Sequence, residues 1–333
     1  MEHERVDAAF IGTSAVWFGF DPRTFDASLA ARGHALTSFN LGLVPTSVQL
    51  QRFFADSICA AHRAHGTRWP LLLYEVAPSE FLDKLVADDL SDPGIQAYKA
   101  QIAAMTLRPA RLGGALRDDP GGALRALLAG PLGYREPSAV AEAVTAYLYQ
   151  DLEPAAWRQP VPPRFAAFKR FADVHRQTTW LPEGRGFVPV GPDTQASYDE
   201  VLRLNHTEQA LARQRVVATE ELGLLPMEVN AAAVERVIEQ IRVLAQCPER
   251  VVLVAMPISP NIMQAMPPAA RKRLADVIAK VQRDTGAPMI DLVETPELAL
   301  DDFSDAEHLS LTVGARKLST LLARRVADVL DKP

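Results

Sequence analysis

Short apolar runs alternate along the chain with segments in which apolar residues recur every three or four positions. The runs have the length of buried strands, and the periodic segments are typical of amphipathic helices packed on a sheet. The predicted strands are 6–13, 35–43, 70–77, 250–256 and 288–292. The predicted helices that accompany them are 21–33, 46–66, 228–246, 269–286 and 311–330.

This alternation determines the predicted fold class. Strands separated by helices lie parallel, and the helices cover both faces of the sheet. We therefore predict a flavodoxin-like, three-layer α/β/α architecture with a five-stranded parallel sheet. In sheets of this kind, ligands bind outside the carboxyl ends of the strands.

The pattern changes in the middle of the chain. Residues 81–225 have a mostly helical pattern, and two short β-prone runs around Pro182-Glu183-Gly184 predict a hairpin near 178–190. We predict that residues 1–80 and 226–333 form the α/β domain. Residues 81–225 would then be a large, mostly helical insertion that serves as a lid or as a partner surface.

Composition and charge narrow the possible partners. With 48% hydrophobic and 23% charged residues and a net charge of −6, the chain has the composition of a globular protein without a basic nucleic-acid surface. No apolar run reaches the ~18 residues of a membrane span. The polar start MEHERVD lacks a signal-peptide core and predicts a cytoplasmic protein. The alternative is an extracytoplasmic protein whose anchor lies outside this sequence.

The chain has two cysteines, Cys59 and Cys247, in helical contexts far apart in the sequence. We expect them to be buried or idle thiols and not a disulfide framework. The cysteines lack metal-ligand spacing. His62 and His65 are three apart on a predicted helix and could share a metal, but no third ligand is apparent, and a solvated helix end is the favoured reading. We therefore expect no metal, and we expect no cofactor.

Candidate chemistry lies at the carboxyl ends of the predicted strands. The first strand ends in Gly12-Thr13-Ser14, the second in Asn40-Leu41-Gly42, and the third is followed by a turn that contains Ser79. Just before the last helix, Asp305 and His308 are three residues apart, a spacing that places both side chains on one side of a turn. The fold would bring His308 close enough to take a proton from Ser14, while Asp305 orients the imidazole.

These motifs resemble those of the SGNH (GDSL-type) hydrolase superfamily, and GTSAVWFGFDP, FNLGL and FSDAEHLSLTVGA are most similar to its bacterial esterase and O-acyltransferase members. The resemblance covers about residues 6–80 and 228–330. It implies a Ser14–His308–Asp305 triad and an oxyanion hole made by the backbone N–H groups of Ser14 and Gly42, with a side-chain amide as third donor.

The sequence departs from the family pattern at the third strand. The family has a Gly-x-Asn-Asp type of turn there, whereas this chain has YEVAPSEF over residues 74–81, without asparagine. Ser79 or Asn40 could replace the missing oxyanion donor.

The resemblance implies a serine-dependent ester hydrolase or O-acyltransferase that acts on a carbohydrate or small-metabolite ester without a cofactor. The missing asparagine favours an alternative, a non-catalytic binding or assembly protein with the same fold. A third reading, a flavodoxin-like phosphate binder, is disfavoured because the first turn lacks a glycine-rich phosphate loop.

Several of these residues also have purely structural readings. Ser14 could be a helix N-cap, Ser304 and Glu307 fit a capping box, and Gly42 could form a tight turn. Glu75 could be the buried partner of an arginine. The prolines and methionines of 255–267 could form an apolar wall that contacts an acyl group.

Overall fold

The structure is a computed structural model that describes residues 6–42, 51, 59, 62–63, 66–82, 185–187, 189–220 and 222–332. All of these belong to one compact unit made of residues 1–88 and 164–333. Most of the predicted helix 46–66, most of the hairpin predicted near 178–190, and residues 83–184 of the predicted insertion lie outside the described residues.

The five predicted strands form one parallel sheet, as predicted. The strands are β1 (Ala8–Gly12), β2 (Ser38–Gly42), β3 (Leu71–Glu75), β4 (Arg250–Ala255) and β5 (Met289–Asp291). Their order across the sheet is β2-β1-β3-β4-β5, and every neighbouring pair is parallel. This is the flavodoxin-like order, in which β1 lies between β2 and β3.

Helices cover both faces of the sheet. The longer ones nearest the sheet are α2 (Pro22–Ala30), α5 (Ala231–Leu244), α7 (Pro268–Thr285) and α8 (Gly314–Leu330). Short helices α1 (Ser14–Gly19) and α6 (Pro260–Ala265) follow β1 and β4, and α3 (Pro192–Asn205) and α4 (Glu208–Glu220) precede α5. A single 3₁₀ turn, Pro78–Phe81, follows β3.

Side-chain alternation along the strands divides the core into two layers. Ile11, Leu72 and Tyr74 face the layer of α5 and α7, whereas Phe10 and Leu73 face the layer of α2 and α8. Fully burying an apolar side chain of this size contributes roughly 1.5–3 kcal/mol. The central strands are buried on both faces, which explains why they are apolar without interruption.

The ends of the helices follow from local chemistry. Asp21 caps α2 by accepting the N–H groups of Arg23 and Thr24, and Asn230 caps α5 in the same way. Helix α7 ends at Gly286, whose φ of +68° is a left-handed conformation that glycine adopts readily.

The prediction of free cysteines is wrong. Cys59 and Cys247 form a disulfide with 5.5 Å between their Cα atoms. The prediction failed because the two residues are separated by 188 positions in the sequence, and only the tertiary fold brings them together. Among the helices that the structure describes, none is both long enough and apolar enough to cross a membrane.

Candidate active site

The turn from β1 into α1 positions Ser14. Thr13 is the N-cap of α1, and its hydroxyl accepts the N–H of Ala15. Ser14 is therefore the first residue of the helix, and the N-cap reading of Ser14 is wrong. Among the described residues, the N–H of Ser14 has no hydrogen-bond acceptor, as is usual for the first turn of a helix.

The structure brings Ser14, His308 and Asp305 together in one line. Nε2 of His308 lies 2.7 Å from Oγ of Ser14, and Nδ1 lies 2.9 Å from Oδ2 and 3.0 Å from Oδ1 of Asp305. With the imidazole proton on Nδ1, the ring donates to Asp305 and accepts from the Ser14 hydroxyl. The His308 side chain is 20% exposed, and the ring of Phe18 packs edge-on against it at 5.1 Å.

The loop before α8 holds Asp305 and His308 in place. Oδ1 of Asp305 accepts the backbone N–H groups of Glu307 and His308, and the N–H and hydroxyl of Ser304 both donate to the carbonyl of His308. The predicted capping box is therefore absent: Ser304 bonds to a carbonyl, and Asp305 takes the N–H groups. An antiparallel bridge between Phe303 and Leu309 closes the loop.

Burial and nearby charge set the protonation of the pair. Burial alone would lower the pKa of His308, but the hydrogen bond and charge of Asp305, with the charges of Glu307 and Glu75, raise it above its usual value. Burial would raise the pKa of Asp305, but the hydrogen bond and charge of His308 outweigh it, so this pKa is lowered. The imidazolium form of His308 is thus stabilised.

Glu75, at the end of β3, bonds to the residue before the serine. Its two carboxylate oxygens accept the backbone N–H and the hydroxyl of Thr13, the latter at 3.2 Å. The side chain is 1% exposed, and burial raises its pKa to about 7 although both Thr13 bonds oppose the shift. The reading of Glu75 as an arginine partner is not what the described residues show: its hydrogen-bond partner is Thr13.

Asn40 and Gly42, at the end of β2, bond to each other and to α1. The Asn40 amide donates to the carbonyls of Val16 (2.9 Å), Trp17 (3.3 Å) and Phe20 (2.7 Å), and its oxygen accepts the N–H of Gly42 at 2.8 Å. The Gly42 N–H and the Asn40 amide, two of the groups predicted for the oxyanion hole, thus already have partners within the protein.

The lack of a side chain at Gly42 has a separate reason. A Cβ on Gly42 would lie 2.2 Å from the backbone nitrogen of Trp17. Glycine at this position lets α1 pack directly against β2.

Ser79 lies in the 3₁₀ turn after β3 and is partly buried. The described contacts of Ser79 consist of its carbonyl accepting the N–H of Leu82 at 3.3 Å. Within the described part of the chain, the Ser79 hydroxyl makes no hydrogen bond. Its role as an oxyanion donor stays a prediction.

The apolar segment after β4 is part of the core. Ile258, Ile262, Met263 and Met266 are at most 5% exposed and pack in the layer of α5 and α7. These side chains face the interior of the protein, and contact between 255–267 and an acyl group stays a prediction.

Helix α3 and the residue that follows it support the loop of residues 303–309, called the catalytic loop below because it carries the candidate residues Asp305 and His308. The amide of Asn205 donates to the carbonyl of Ser304 at 2.7 Å, Nε2 of His206 lies 2.8 Å from the carbonyl of Phe303, and the Tyr198 hydroxyl accepts the N–H of Leu311 at 2.7 Å. No local sequence signal predicts these contacts, since they join side chains of α3 and of the residue after it to backbone groups about a hundred residues away.

A pocket of about 570 Å³ lies between α4 and the catalytic loop. Polar groups on its α4 side include Gln209, Arg213 and Gln214, and its opposite wall contains Glu307 and His308. The Glu307 carboxylate has no hydrogen bond within the described part of the chain, and burial raises its pKa. A ligand in this pocket would therefore meet His308 and the carboxylate of Glu307.

The arrangement has the geometry of a general base linked to a nucleophile. Nδ1–H of His308 is held by a carboxylate, and Nε2 is free to take the Ser14 proton. No three His, Cys, Asp or Glu side chains within the described ranges lie together in a way that could hold a metal ion. Comparison with protein-family models, curated proteins and solved structures finds no match for this chain.

Proposed function

We propose that this protein is a serine-dependent ester hydrolase or O-acyltransferase that forms an acyl-enzyme on Ser14. The observation that carries the proposal is the line of hydrogen bonds from Ser14 through His308 to Asp305, with both links at 2.7–2.9 Å. The resemblance of the surrounding motifs to the SGNH hydrolases supports the same reading.

In the first step, Oγ of Ser14 forms a bond to the ester carbonyl carbon while its proton passes to Nε2 of His308. Asp305 stabilises the imidazolium that results. The tetrahedral intermediate collapses when the ester C–O bond breaks, and Nε2–H gives its proton to the leaving alkoxide. The acyl group is then bound to Ser14 as an ester.

In the second step, water or an acceptor hydroxyl gives its proton to Nε2 of His308 and attacks the acyl carbon. Collapse of this intermediate returns the proton to Oγ of Ser14. Water as the acceptor makes the protein a hydrolase, and a carbohydrate or metabolite hydroxyl makes it a transferase. The pocket beside Glu307 and His308 is the place from which an acceptor could reach the imidazole.

The oxyanion that forms in both steps requires hydrogen-bond donors. The N–H of Ser14 is a donor for which the described residues supply no acceptor, and it belongs to the proposed nucleophile itself. Losing one such donor typically costs about 10²–10³ in rate.

The same accounting favours a second candidate function. The N–H of Gly42 and the amide of Asn40 are bonded within the protein, and the third strand lacks the family's asparagine. These features suit a non-catalytic binding or assembly protein of the same fold, in which Ser14 and His308 would bind a ligand without reacting with it.

Covalent labelling tests the proposal. We expect a fluorophosphonate probe to add once to the wild-type protein, as seen by intact mass, and not to Ser14→Ala. Ser38→Ala is the matched control, because this serine lies on β2 and its hydroxyl donates to the carbonyl of Pro22. Folded wild-type protein without an adduct would reject the acyl-enzyme and leave the binding protein as the reading.

The disulfide bears on the compartment. We propose that the chain works outside the cytoplasm, since disulfides persist mainly in oxidising compartments. The Cys59–Cys247 bond supports this proposal over a cytoplasmic location. Expression with and without export, followed by thiol titration of the purified protein, tests it: a cytoplasmic preparation with full activity, full stability and two free thiols would contradict it.

A further inference from the structure

We propose that Glu75 is a positioning residue that fixes the turn carrying Ser14. The inference rests on the proposed function, since it concerns the same site. It assigns to the end of β3 a role other than supplying an oxyanion donor.

The first argument is the bonding of Thr13. Glu75 accepts both the backbone N–H and the hydroxyl of Thr13, so two contacts fix the residue that precedes the nucleophile. Parallel pairing of β1 with β3 places the two residues at the same edge of the sheet. A carboxylate that holds two donors of one residue restrains both its position and its rotation.

The second argument is the space that the chain reserves for this carboxylate. A Cβ on Gly12 would lie 2.3 Å from Cγ2 of Val16, 2.4 Å from Oε2 of Glu75 and 2.7 Å from Cβ of Glu75. Any larger residue at position 12 would therefore displace Val16 and Glu75 or open the turn. Glycine two residues before Ser14 thus makes room for the Glu75 carboxylate together with the first turn of α1.

The third argument follows the hydrogen bonds into α1. The Thr13 hydroxyl donates to Glu75 and accepts from the N–H of Ala15, so Glu75 fixes the first turn through one intermediate. The N–H groups on both sides of Ser14 are thereby engaged. The N–H of Ser14 lies between these two and has no acceptor among the described residues.

The surroundings of Glu75 make its charge state variable. The charged or titratable groups that act on it, or on which it acts, are Glu307, His308, Glu80 and Tyr74. Burial, its largest influence, brings its pKa to about 7. Glutamine has the shape of the protonated carboxyl and can still accept the Thr13 N–H, which makes it the conservative substitution.

Saturation kinetics of fluorophosphonate labelling give the test, because they separate the maximal labelling rate from probe affinity. We expect Glu75→Ala to lower the maximal rate by about 10²-fold, the scale of loss for a misplaced reacting group. We expect little change in probe affinity, because Glu75 does not touch the ligand. Glu75→Gln should recover most of the lost rate.

Glu80→Gln is the matched control. This carboxylate is also buried beside the end of β3, but it accepts from Gln51 and does not contact Thr13. We expect the Glu80→Gln protein to be labelled at close to the wild-type rate. If Glu75→Ala does not fold, Thr13→Val tests the same link by removing the hydroxyl at similar volume, and it should slow labelling while Thr13→Ser does not.

The outcomes separate the two proposals. Labelled wild-type protein with Glu75→Ala or Thr13→Val labelled at the same maximal rate would overturn the positioning role and leave the acyl-enzyme intact. A loss of rate in Glu80→Gln equal to that in Glu75→Ala would also overturn it, because the effect would then belong to buried carboxylates in general. Folded wild-type protein that takes no label would reject the proposed function itself.

Discussion

Three carboxylates influence a single imidazole in this protein. Asp305 bonds to His308 directly, and Glu307 and Glu75 act on it through charge alone. Each of them favours the imidazolium and so raises the pKa of His308 against the opposing effect of burial. Replacing any of these carboxylates would therefore change the pKa of His308, and with it the pH above which the imidazole is neutral.

This arrangement predicts the pH dependence of the reaction. The base must be neutral, so the rate should fall as the pH decreases through the His308 pKa, which lies above its ordinary value of about 6.5. Glu307→Gln removes one negative charge that raises the pKa of His308. We therefore expect the fall of the labelling rate on the acid side, the acid limb of the profile, to move to lower pH.

A pH profile from 5 to 9 of the labelling rate measures the effect. Glu294→Gln, on an exposed carboxylate that pairs with Arg271, is the control and should leave the limb in place. A limb that stays fixed in Glu307→Gln would contradict the charge coupling. A profile without any acid limb would contradict His308 as the base.

At the scale of the element, α1 is a six-residue helix attached to the sheet by side chains. So short a helix is not stable alone, and tertiary contacts must hold it. The side-chain amide of Asn40 donates to three carbonyls at the end of α1, those of Val16, Trp17 and the C-cap Phe20. The absence of a side chain at Gly42 lets the backbone of α1 lie against β2. The position of Ser14 therefore depends on β2 as well as on β1 and β3.

Asn40→Ala tests this dependence. The variant would leave the Phe20 carbonyl without this donor and the Gly42 N–H without its acceptor. A buried polar group left unpaired costs roughly 1–3 kcal/mol, so we expect urea denaturation to show a loss of about 2–4 kcal/mol in the free energy of unfolding. Asn230→Ala, which removes the cap of α5, is the comparison and should cost about 1 kcal/mol. Equal costs for the two variants would show that Asn40 is not holding α1.

The elements also show what a sequence can reveal. Strands β1 to β5 and the triad residues carry local signals: apolar runs, a glycine-serine turn and an Asp-x-x-His spacing. The bonds of Glu75 to Thr13, of Asn40 to α1 and of Asn205 to the catalytic loop carry none, because each joins residues 20 to 99 positions apart. In the sequence, Glu75, Asn40 and Asn205 cannot be told from other polar residues, because only the fold brings each of them close to its partner.

At the scale of the whole molecule, the Cys59–Cys247 disulfide joins the two halves of the α/β domain across 188 residues. Closing so long a loop restricts the unfolded chain, an effect of up to about 5 kcal/mol in the chain-entropy view. Long-range links of this kind cannot be inferred from two cysteines without regular spacing.

Reduction should therefore destabilise the protein. We expect dithiothreitol, or the Cys59→Ala/Cys247→Ala double variant, to lower the free energy of unfolding by roughly 2–5 kcal/mol. Urea denaturation with and without reductant measures this, and the double variant should no longer respond to reductant. An unchanged unfolding midpoint in wild-type protein whose two thiols have been titrated as reduced would refute the prediction.

The same bond has a consequence for limited proteolysis. Ser14 lies before Cys59, and Asp305 and His308 lie after Cys247, so one cut anywhere between the cysteines separates Ser14 from His308 in the covalent sequence. The disulfide still holds the two fragments in one molecule. A nicked protein would run as one species on a non-reducing gel and as two after reduction, and the sheet that pairs β3 with β4 would keep both parts of the site assembled.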